Sequence, residues 1–202
     1  MMRLVLFGDS ITARTEGHDR PLLTIKLEEK LSGTWNIINA GVPGNNTFDA
    51  LERIEKDVLI HNPDFVTVLF GANDAAFHKM VQLNDFASNL TNIVTAITSK
   101  KTILISPAPV DERIQHARNN TVLKQYAEVV RAISVTTSSH YIDLFTDMLG
   151  IHNLSVTLRG LRNDGLHFGE LGYDYLSDLI SNELLIISGK SLNYPESSCS
   201  RN

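Results

Sequence analysis

The stretch LVLFGDSIT, residues 4–12, joins a run of apolar residues to a short polar turn near the start of the chain. The continuous apolar run over residues 2–7 predicts a strand that is buried on both faces of a sheet. Gly8, Asp9 and Ser10 follow this strand directly. Such a turn suits either an ordinary helix N-cap or a serine nucleophile, and the remaining motifs decide between the two.

Length and composition indicate one ordinary domain. The chain has 202 residues, of which 43% are hydrophobic and 20% charged, enough for a substantial core. No repeat, low-complexity tract or linker interrupts residues 1–189, which we expect to form a single domain. Residues 190–202 contain little to bury and are predicted to be a frayed tail.

Charge and cysteine content argue against several classes of partner. The formal net charge is −5 and Lys and Arg form no run, so we expect neither nucleic acid nor an anionic membrane surface as a partner. No apolar stretch reaches the length of a bilayer span, and the first one is too short for a signal peptide. Cys199 is the only cysteine, so no internal disulfide can form. These features predict a cytoplasmic protein.

Strand and helix patterns alternate along the chain. Strands are predicted at residues 2–7, 35–39, 65–70, 102–106 and 140–143, and helices at residues 21–31, 47–59, 84–99, 120–137 and 169–188. This alternation predicts a parallel sheet with helices on both faces. Ligands of such sheets bind beyond the carboxyl ends of the strands, so a site is expected in the turns that follow the strands.

Polar residues mark the starts of two of these helices. Thr47 is predicted to cap the second helix, and Asn84 or Asp85 the third. The last helix is predicted to place its apolar side chains on one face at Leu171, Tyr175, Leu179 and Ile180.

Five residues with chemical potential fall at the predicted site edge. Ser10 follows the first strand, Gly44 the second and Asn73 the third, while Asp164 and His167 precede the last helix. The predicted fold brings a hydroxyl, an imidazole, a carboxylate, a glycine N–H and a side-chain amide to one edge. These are the groups that acyl transfer through a serine ester requires.

Each group has a role in that chemistry. A serine hydroxyl is a weak nucleophile, so His167 is expected to take its proton, and Asp164 to orient the imidazole from three residues away. The Ser10 N–H, the Gly44 N–H and the Asn73 amide are the expected oxyanion donors. Activity should rise with pH as His167 loses its proton, near the ordinary pKa of ~6.5, with Asp164 expected to raise that value.

Four sequence blocks resemble those of the SGNH (GDSL-type) hydrolase superfamily, in the family's order. They are FGDSIT, NAGVPGNNT, GAND and DGLH, which match Ser10, Gly44, Asn73 and Asp164 with His167. Ile11 stands where the family often has Leu, which is a conservative difference. ISPAPVDE, YAEVVRAI and RNDGLHFGELGYDYL further resemble the isoamyl acetate-hydrolysing esterase branch.

The resemblance implies a fold and a chemistry. The fold is a flavodoxin-like α/β/α sandwich whose five parallel strands have the order 2-1-3-4-5. The chemistry is a serine mechanism on esters or thioesters that uses no metal and no cofactor. A chelator should therefore have no effect on activity.

Structural roles are the alternative for every candidate residue. Ser10 suits an N-cap, and Gly44 and Asn73 suit ordinary turns. Asp164 suits a loop carboxylate and His167 a surface histidine, and together they form a weaker metal-site hypothesis because no third ligand is near in sequence. The Asp9 carboxylate is expected to bind backbone N–H groups of its turn. Asp9, Ala75 and His78 are also candidate substrate-binding residues.

The sequence thus predicts a serine esterase that hydrolyses small carboxylic esters, because the predicted loops are short and no lid is evident. A carbohydrate O-deacetylase is the main alternative, and a lysophospholipase, a thioesterase or an acyltransferase would use the same groups. A flavodoxin-like nucleotide-binding protein is the non-enzyme alternative. Asp9 in the first turn opposes it, because a carboxylate repels phosphate. The natural ester and the oligomeric state are left open.

Overall fold

The computed structural model describes residues 1–31 and 33–189, so the predicted frayed tail at 190–202 lies outside the described residues. Five strands form one sheet: β1 (Met2–Gly8), β2 (Trp35–Gly41), β3 (Phe65–Leu69), β4 (Thr102–Ile105) and β5 (His140–Ile142). All neighbouring strands are parallel, and their order is β2-β1-β3-β4-β5. Both features confirm the predicted sheet.

The helices lie between and after these strands. They are α1 (Ser10–Ala13), α2 (Leu22–Leu31), α3 (Thr47–Asp57), α4 (Leu83–Ile97), α5 (Asn120–Thr137), α6 (Leu144–Leu149), α7 (Leu154–Thr157) and α8 (Glu170–Ile187). The short helices α1, α6 and α7 were not predicted, because four to six residues are too few to establish a helical period. None of the described helices is long and apolar enough to cross a membrane.

The interior strand β1 explains the layered architecture. Its side chains alternate, so Leu4 and Leu6 pack with α2 and α8 on one face of the sheet, while Val5 and Phe7 pack with α3, α4 and α5 on the other. All four side chains are fully buried. The chain is therefore an α/β/α sandwich with two apolar cores, and the carboxyl ends of the strands are free to carry a site.

Two predicted helix caps were wrong. Asn46 is the N-cap of α3: its side chain accepts hydrogen bonds from the Phe48 and Asp49 N–H groups, and Asp49 bonds back to the Asn46 N–H. Thr47 instead binds Asp74, a partner that is distant in sequence. Helix α4 begins at Leu83 after Gln82, which makes no side-chain cap, so the predicted caps Asn84 and Asp85 lie inside the first turn.

The predicted apolar face of α8 was right for three of its four residues, because Ile180 is fully buried and the partly buried Tyr175 and Leu179 pack against the same core. Tyr173, Leu176 and Leu184 are fully buried together with Ile180, whereas Leu171 is 58% exposed. The Tyr173 hydroxyl donates a 2.8 Å hydrogen bond to the Ile11 carbonyl, which turns this face of α8 towards α1. The helical period was right, and this tertiary contact centres the buried face on Tyr173, which the sequence pattern did not include.

Candidate active site

Four segments bring the predicted site residues to the carboxyl edge of the sheet. Ser10 is the first residue of α1, directly after β1, while Gly44 follows β2 and Asn73 follows β3. His167 lies in the segment between α7 and α8. These four residues line one open cleft of about 280 Å³.

Close packing fixes the turn that carries Ser10. A Cβ atom added to Gly8 would lie 2.1 Å from the Thr12 Oγ1 and 2.9 Å from the Leu69 carbonyl oxygen, so only glycine fits where β1 turns into α1. The Asp9 carboxylate caps α1 by accepting the Ile11 N–H at 2.9 Å. Ser10 is therefore placed by the strand end and the cap together.

A continuous chain of hydrogen bonds links Ser10, His167 and Asp164. The Ser10 Oγ lies 2.9 Å from the His167 Nε2, and the His167 Nδ1 lies 2.7 Å from the Asp164 Oδ2. The other Asp164 oxygen accepts the backbone N–H groups of Leu166 and His167 at 3.1 and 3.0 Å. The three-residue spacing thus lets one turn hold both the carboxylate and the imidazole.

Electrostatics set the protonation of this pair. Burial lowers the pKa of His167, and the nearby Arg14 and Arg162 lower it further. Together these effects outweigh the negative charge of Asp164 and the hydrogen bond that His167 donates to it. The predicted rise of the His167 pKa was therefore wrong in direction. Burial alone would raise the pKa of Asp164, but hydrogen bonds from His167 and Leu166 outweigh it and lower that pKa. At neutral pH a neutral imidazole thus faces Ser10 and a carboxylate supports it.

The three expected oxyanion donors differ in their present partners. Within the described residues, the backbone N–H groups of Ser10 and Gly44 donate no hydrogen bond. Gly44 has a φ of +82°, which favours glycine at this turn. The Asn73 Nδ2 donates to the Asn45 carbonyl at 2.9 Å and to the Asp9 Oδ2 at 3.2 Å, so both amide hydrogens are engaged. To bind an oxyanion, the Asn73 amide would have to break one of these bonds, and the longer bond, to Asp9, is the weaker of the two.

The three candidate substrate-binding residues lie behind or away from the cleft. Asp9 is 2% exposed, and burial raises its pKa to about 7, against the opposing effect of the Ile11 N–H. It borders an apolar cavity of only about 10 Å³ beneath the cleft. Ala75 is fully buried in the core, and His78 is exposed; neither lines the cleft.

Two buried charged residues that the sequence analysis did not assign to the site support it. Asp74 accepts the Thr47 N–H at 2.9 Å, the Thr47 hydroxyl at 2.6 Å and the Gly71 N–H at 3.2 Å. Arg53 donates to the Gly8 and Ala40 carbonyls at 2.9 and 2.8 Å. The sequence offered one sign of the role of Arg53: it is an arginine at a core-facing position of α3, close to the buried residues Ala50 and Ile54.

Three arginines, Arg14, Arg118 and Arg162, also line the cleft, together with Pro43 and Leu166. No motif marked them, because all three lie in segments between the regular elements. In residues 1–31 and 33–189, no three His, Cys, Asp or Glu side chains cluster in a way that could hold a metal ion.

Comparison with known proteins identifies the family. The profile of the GDSL-like Lipase/Acylhydrolase family matches residues 6–175. A human protein described as isoamyl acetate-hydrolyzing esterase 1 homolog is 31% identical over 198 residues, which cover 86% of this chain and 77% of the human protein.

Solved structures agree with this match. A lipase/acylhydrolase from Enterococcus faecalis superposes with a TM-score of 0.85 at 35% identity, over 91% of this chain and 95% of that one. The acetyl xylan esterase AlAXEase superposes with a TM-score of 0.75 at 26% identity, over 90% and 98% of the two chains. The chain therefore belongs to the GDSL-like lipase/acylhydrolase family and is a carboxylic ester hydrolase.

Proposed function

We propose that the protein is a serine esterase that hydrolyses small carboxylic esters through an acyl-enzyme. The observation that carries this proposal is the unbroken hydrogen-bond chain from the Ser10 hydroxyl through His167 to Asp164. The serine lies in an open cleft, where a substrate carbonyl can reach it.

The acylation step follows from this chain. The Ser10 Oγ attacks the ester carbonyl carbon while His167 Nε2 takes the hydroxyl proton. Asp164 holds the Nδ1 proton and stabilises the imidazolium that forms. When the tetrahedral intermediate collapses, the bond to the alcohol oxygen breaks and His167 gives its proton to the leaving alcohol.

Deacylation repeats these steps with water. His167 takes a proton from the attacking water, and the bond between the acyl carbon and Ser10 Oγ breaks. The proton returns to Ser10, and the carboxylic acid leaves. In both steps the negative oxygen is held by the Ser10 and Gly44 N–H groups and by the Asn73 amide, which exchanges its longer bond to Asp9 for the oxyanion.

The size of the site favours small substrates. The cleft of about 280 Å³ lies at the lower limit of small-molecule pockets, and the apolar cavity beneath it holds only about 10 Å³. The cavity is too small to bury a long acyl chain. The likeness to an isoamyl acetate-hydrolyzing esterase 1 homolog and to an acetyl xylan esterase supports acetyl as the acyl group.

A carbohydrate O-deacetylase is the second candidate. The likeness to the acetyl xylan esterase AlAXEase over 90% of this chain favours it. Release of acetate from acetylated xylooligosaccharides, compared with p-nitrophenyl acetate, separates the two candidates. A higher kcat/KM on the sugar would favour the deacetylase.

Hydrolysis of p-nitrophenyl esters from acetyl to decanoyl tests the proposal. Wild type should prefer the shortest acyl groups, and Ser10→Ala should lose at least about a thousand-fold in kcat. Ser88→Ala, which changes an exposed serine on α4, is the matched control and should keep its activity. Retained activity in Ser10→Ala would contradict the mechanism, and a preference for long acyl groups would contradict the proposed substrate size.

A further inference from the structure

The charge of the cleft is opposite to that of the chain. The formal net charge of the protein is −5, yet three arginines and no aspartate or glutamate line the cleft. Arg14 follows α1, Arg118 precedes α5, and Arg162 lies two residues before Asp164. Three separate segments therefore each bring a cation to the same site.

Arg14 is already neutralised within the fold. Its Nε forms an ion pair with the Glu16 carboxylate, whose side chain is only 4% exposed. Glu16 also accepts the Leu161 N–H at 2.6 Å, so this pair ties α1 to the segment before α8. Arg14 is thus explained by structure and leaves no free charge for a ligand.

The Nε of Arg118 is bound to the protein backbone, whereas its two terminal nitrogens are available to a ligand. The residue is 6% exposed, and its Nε donates to the Ala72 carbonyl at 2.7 Å. Its two terminal nitrogens donate no hydrogen bond to any described residue, yet no buried side-chain nitrogen is left without a partner. These nitrogens therefore reach the solvent of the cleft.

Arg162 adds a second free cation. Its side chain is exposed and forms no ion pair with any residue in the described ranges. It is near enough to His167 to disfavour the imidazolium. The two carboxylates that act electrostatically on Arg118 are already hydrogen-bonded, Asp9 to Ile11 and Asn73, and Asp164 to His167.

The terminal nitrogens of Arg118 face the solvent of the cleft without an acceptor among the described residues, so an anion can replace the water that binds them. Carboxylates and phosphates match the planar fork of arginine with two parallel hydrogen bonds. We propose that the natural ester carries an anionic group, a carboxylate or a phosphate, that binds between Arg118 and Arg162 beside Ser10. This inference rests on the proposed esterase function and narrows its substrate class.

Paired esters that differ only in charge test the inference. The p-nitrophenyl monoester of glutaric acid and its methyl ester place the charge on the acyl side. p-Acetoxybenzoate and p-acetoxybenzamide place it on the alcohol side. Each kcat/KM is divided by the rate of spontaneous hydrolysis. Wild type should prefer the anionic member of at least one pair by about ten-fold, and added salt should reduce this preference.

Single substitutions locate the effect. Arg162→Gln should lower the preference by roughly five-fold and Arg118→Gln by more, because the Arg118 fork is the less solvated of the two. Arg159→Gln is the matched control: it removes the same charge from an exposed side chain of the same segment that does not line the cleft. Its preference should stay within about two-fold of wild type.

Calorimetric binding of glutarate and of inorganic phosphate distinguishes the two anion classes without any turnover. Binding of either should weaken in Arg162→Gln and persist in Arg159→Gln. Equal hydrolysis of both members of both pairs, or a preference that survives in Arg118→Gln and Arg162→Gln, would overturn the inference. Absence of Ser10-dependent hydrolysis of the neutral esters would contradict the proposed function instead; anion binding then decides the inference alone, and unchanged binding in Arg162→Gln overturns it.

Discussion

The two halves of the site are built in different ways. The half that carries the proposed nucleophile (Ser10, Gly44 and Asn73; the nucleophile half) lies at strand ends and is supported by buried side chains. Asp9 connects α1 to Asn73 through hydrogen bonds of 2.9 and 3.2 Å. The nucleophile half is therefore continuous with the core of the sandwich.

The half that carries the proposed base (Asp164 and His167; the base half) lies on an irregular segment, which is held by backbone hydrogen bonds and by the buried neighbours Leu166 and Phe168. The His167 carbonyl accepts the Gly160 N–H at 3.0 Å, and the Asp164 carbonyl accepts the Gln115 side chain at 3.1 Å. The Gly165 carbonyl accepts the Asp111 N–H at 2.8 Å. These contacts hold the segment in place without using the imidazole of His167.

Because the two halves are supported differently, we expect substitutions in them to affect stability and activity to different degrees. Substitutions in the support of the nucleophile half should lower the free energy of unfolding, because they leave buried polar groups without partners. Substitutions in the base half should lower activity with less effect on folding.

The largest effect is expected for His167→Ala. Loss of the general base should reduce kcat for p-nitrophenyl acetate by about 10³- to 10⁴-fold. The melting temperature should change little, because the segment keeps its backbone contacts. His78→Ala, at an exposed histidine outside the cleft, is the control and should match wild type in both measurements. A variant that fails to fold would refute the claimed independence of the base half.

Asn73→Ala is expected to have the next largest effect. Removal of one oxyanion donor should lower kcat by about 10²- to 10³-fold, while KM changes less. The control is Asn84→Ala, on an exposed side chain of α4. Steady-state kinetics on p-nitrophenyl acetate measure both variants. A change confined to KM would mean that Asn73 binds the ground state rather than the oxyanion.

Asp74→Asn should mainly affect stability. One carboxylate oxygen becomes an amide nitrogen that faces the donors of Thr47 or Gly71, and an unsatisfied buried donor costs about 1–3 kcal/mol. Urea denaturation measures this loss, and Asp19→Asn, at an exposed loop residue, should be near neutral. Unchanged stability in Asp74→Asn would contradict the role given to the buried support.

The smallest effect is a shift in the pH profile. Because the pKa of His167 is lowered, kcat/KM for a neutral ester should rise with pH around a midpoint below 6.5. Arg162→Gln removes a cation that disfavours the imidazolium, so its midpoint should move upward. Arg159→Gln should leave the midpoint unmoved. A midpoint above 6.5 in wild type would show that Asp164 outweighs burial.

Sequence patterns predicted the frame of the molecule better than its local contacts. The bounds of α5, residues 120–137, were confirmed to the residue, because its apolar period is long and Asn119 caps it. Thr47 was predicted as a cap because hydroxyl side chains favour that position. Its actual partner, Asp74, lies 27 residues away and could not be found from local pattern.

In the candidate site too, positions fixed by strands and motifs could be predicted from the sequence, whereas tertiary contacts could not. Ser10, Gly44 and Asn73 could be placed together because each follows a parallel strand, and His167 because of its motif. The lowered pKa of His167 depends on burial and on two arginines, which no sequence period encodes. Arg118 and Arg162 lie on irregular segments, so only the folded chain brings them to the cleft.

Labelling with a fluorophosphonate tests the central claim most directly. The reagent forms a stable phosphonyl ester with an activated serine, and peptide mass spectrometry locates the adduct. We predict a single adduct on Ser10 of the native protein, none in Ser10→Ala, and slow labelling in His167→Ala. An adduct on another residue, or none on a protein that hydrolyses p-nitrophenyl acetate, would contradict the assignment of Ser10 as the nucleophile.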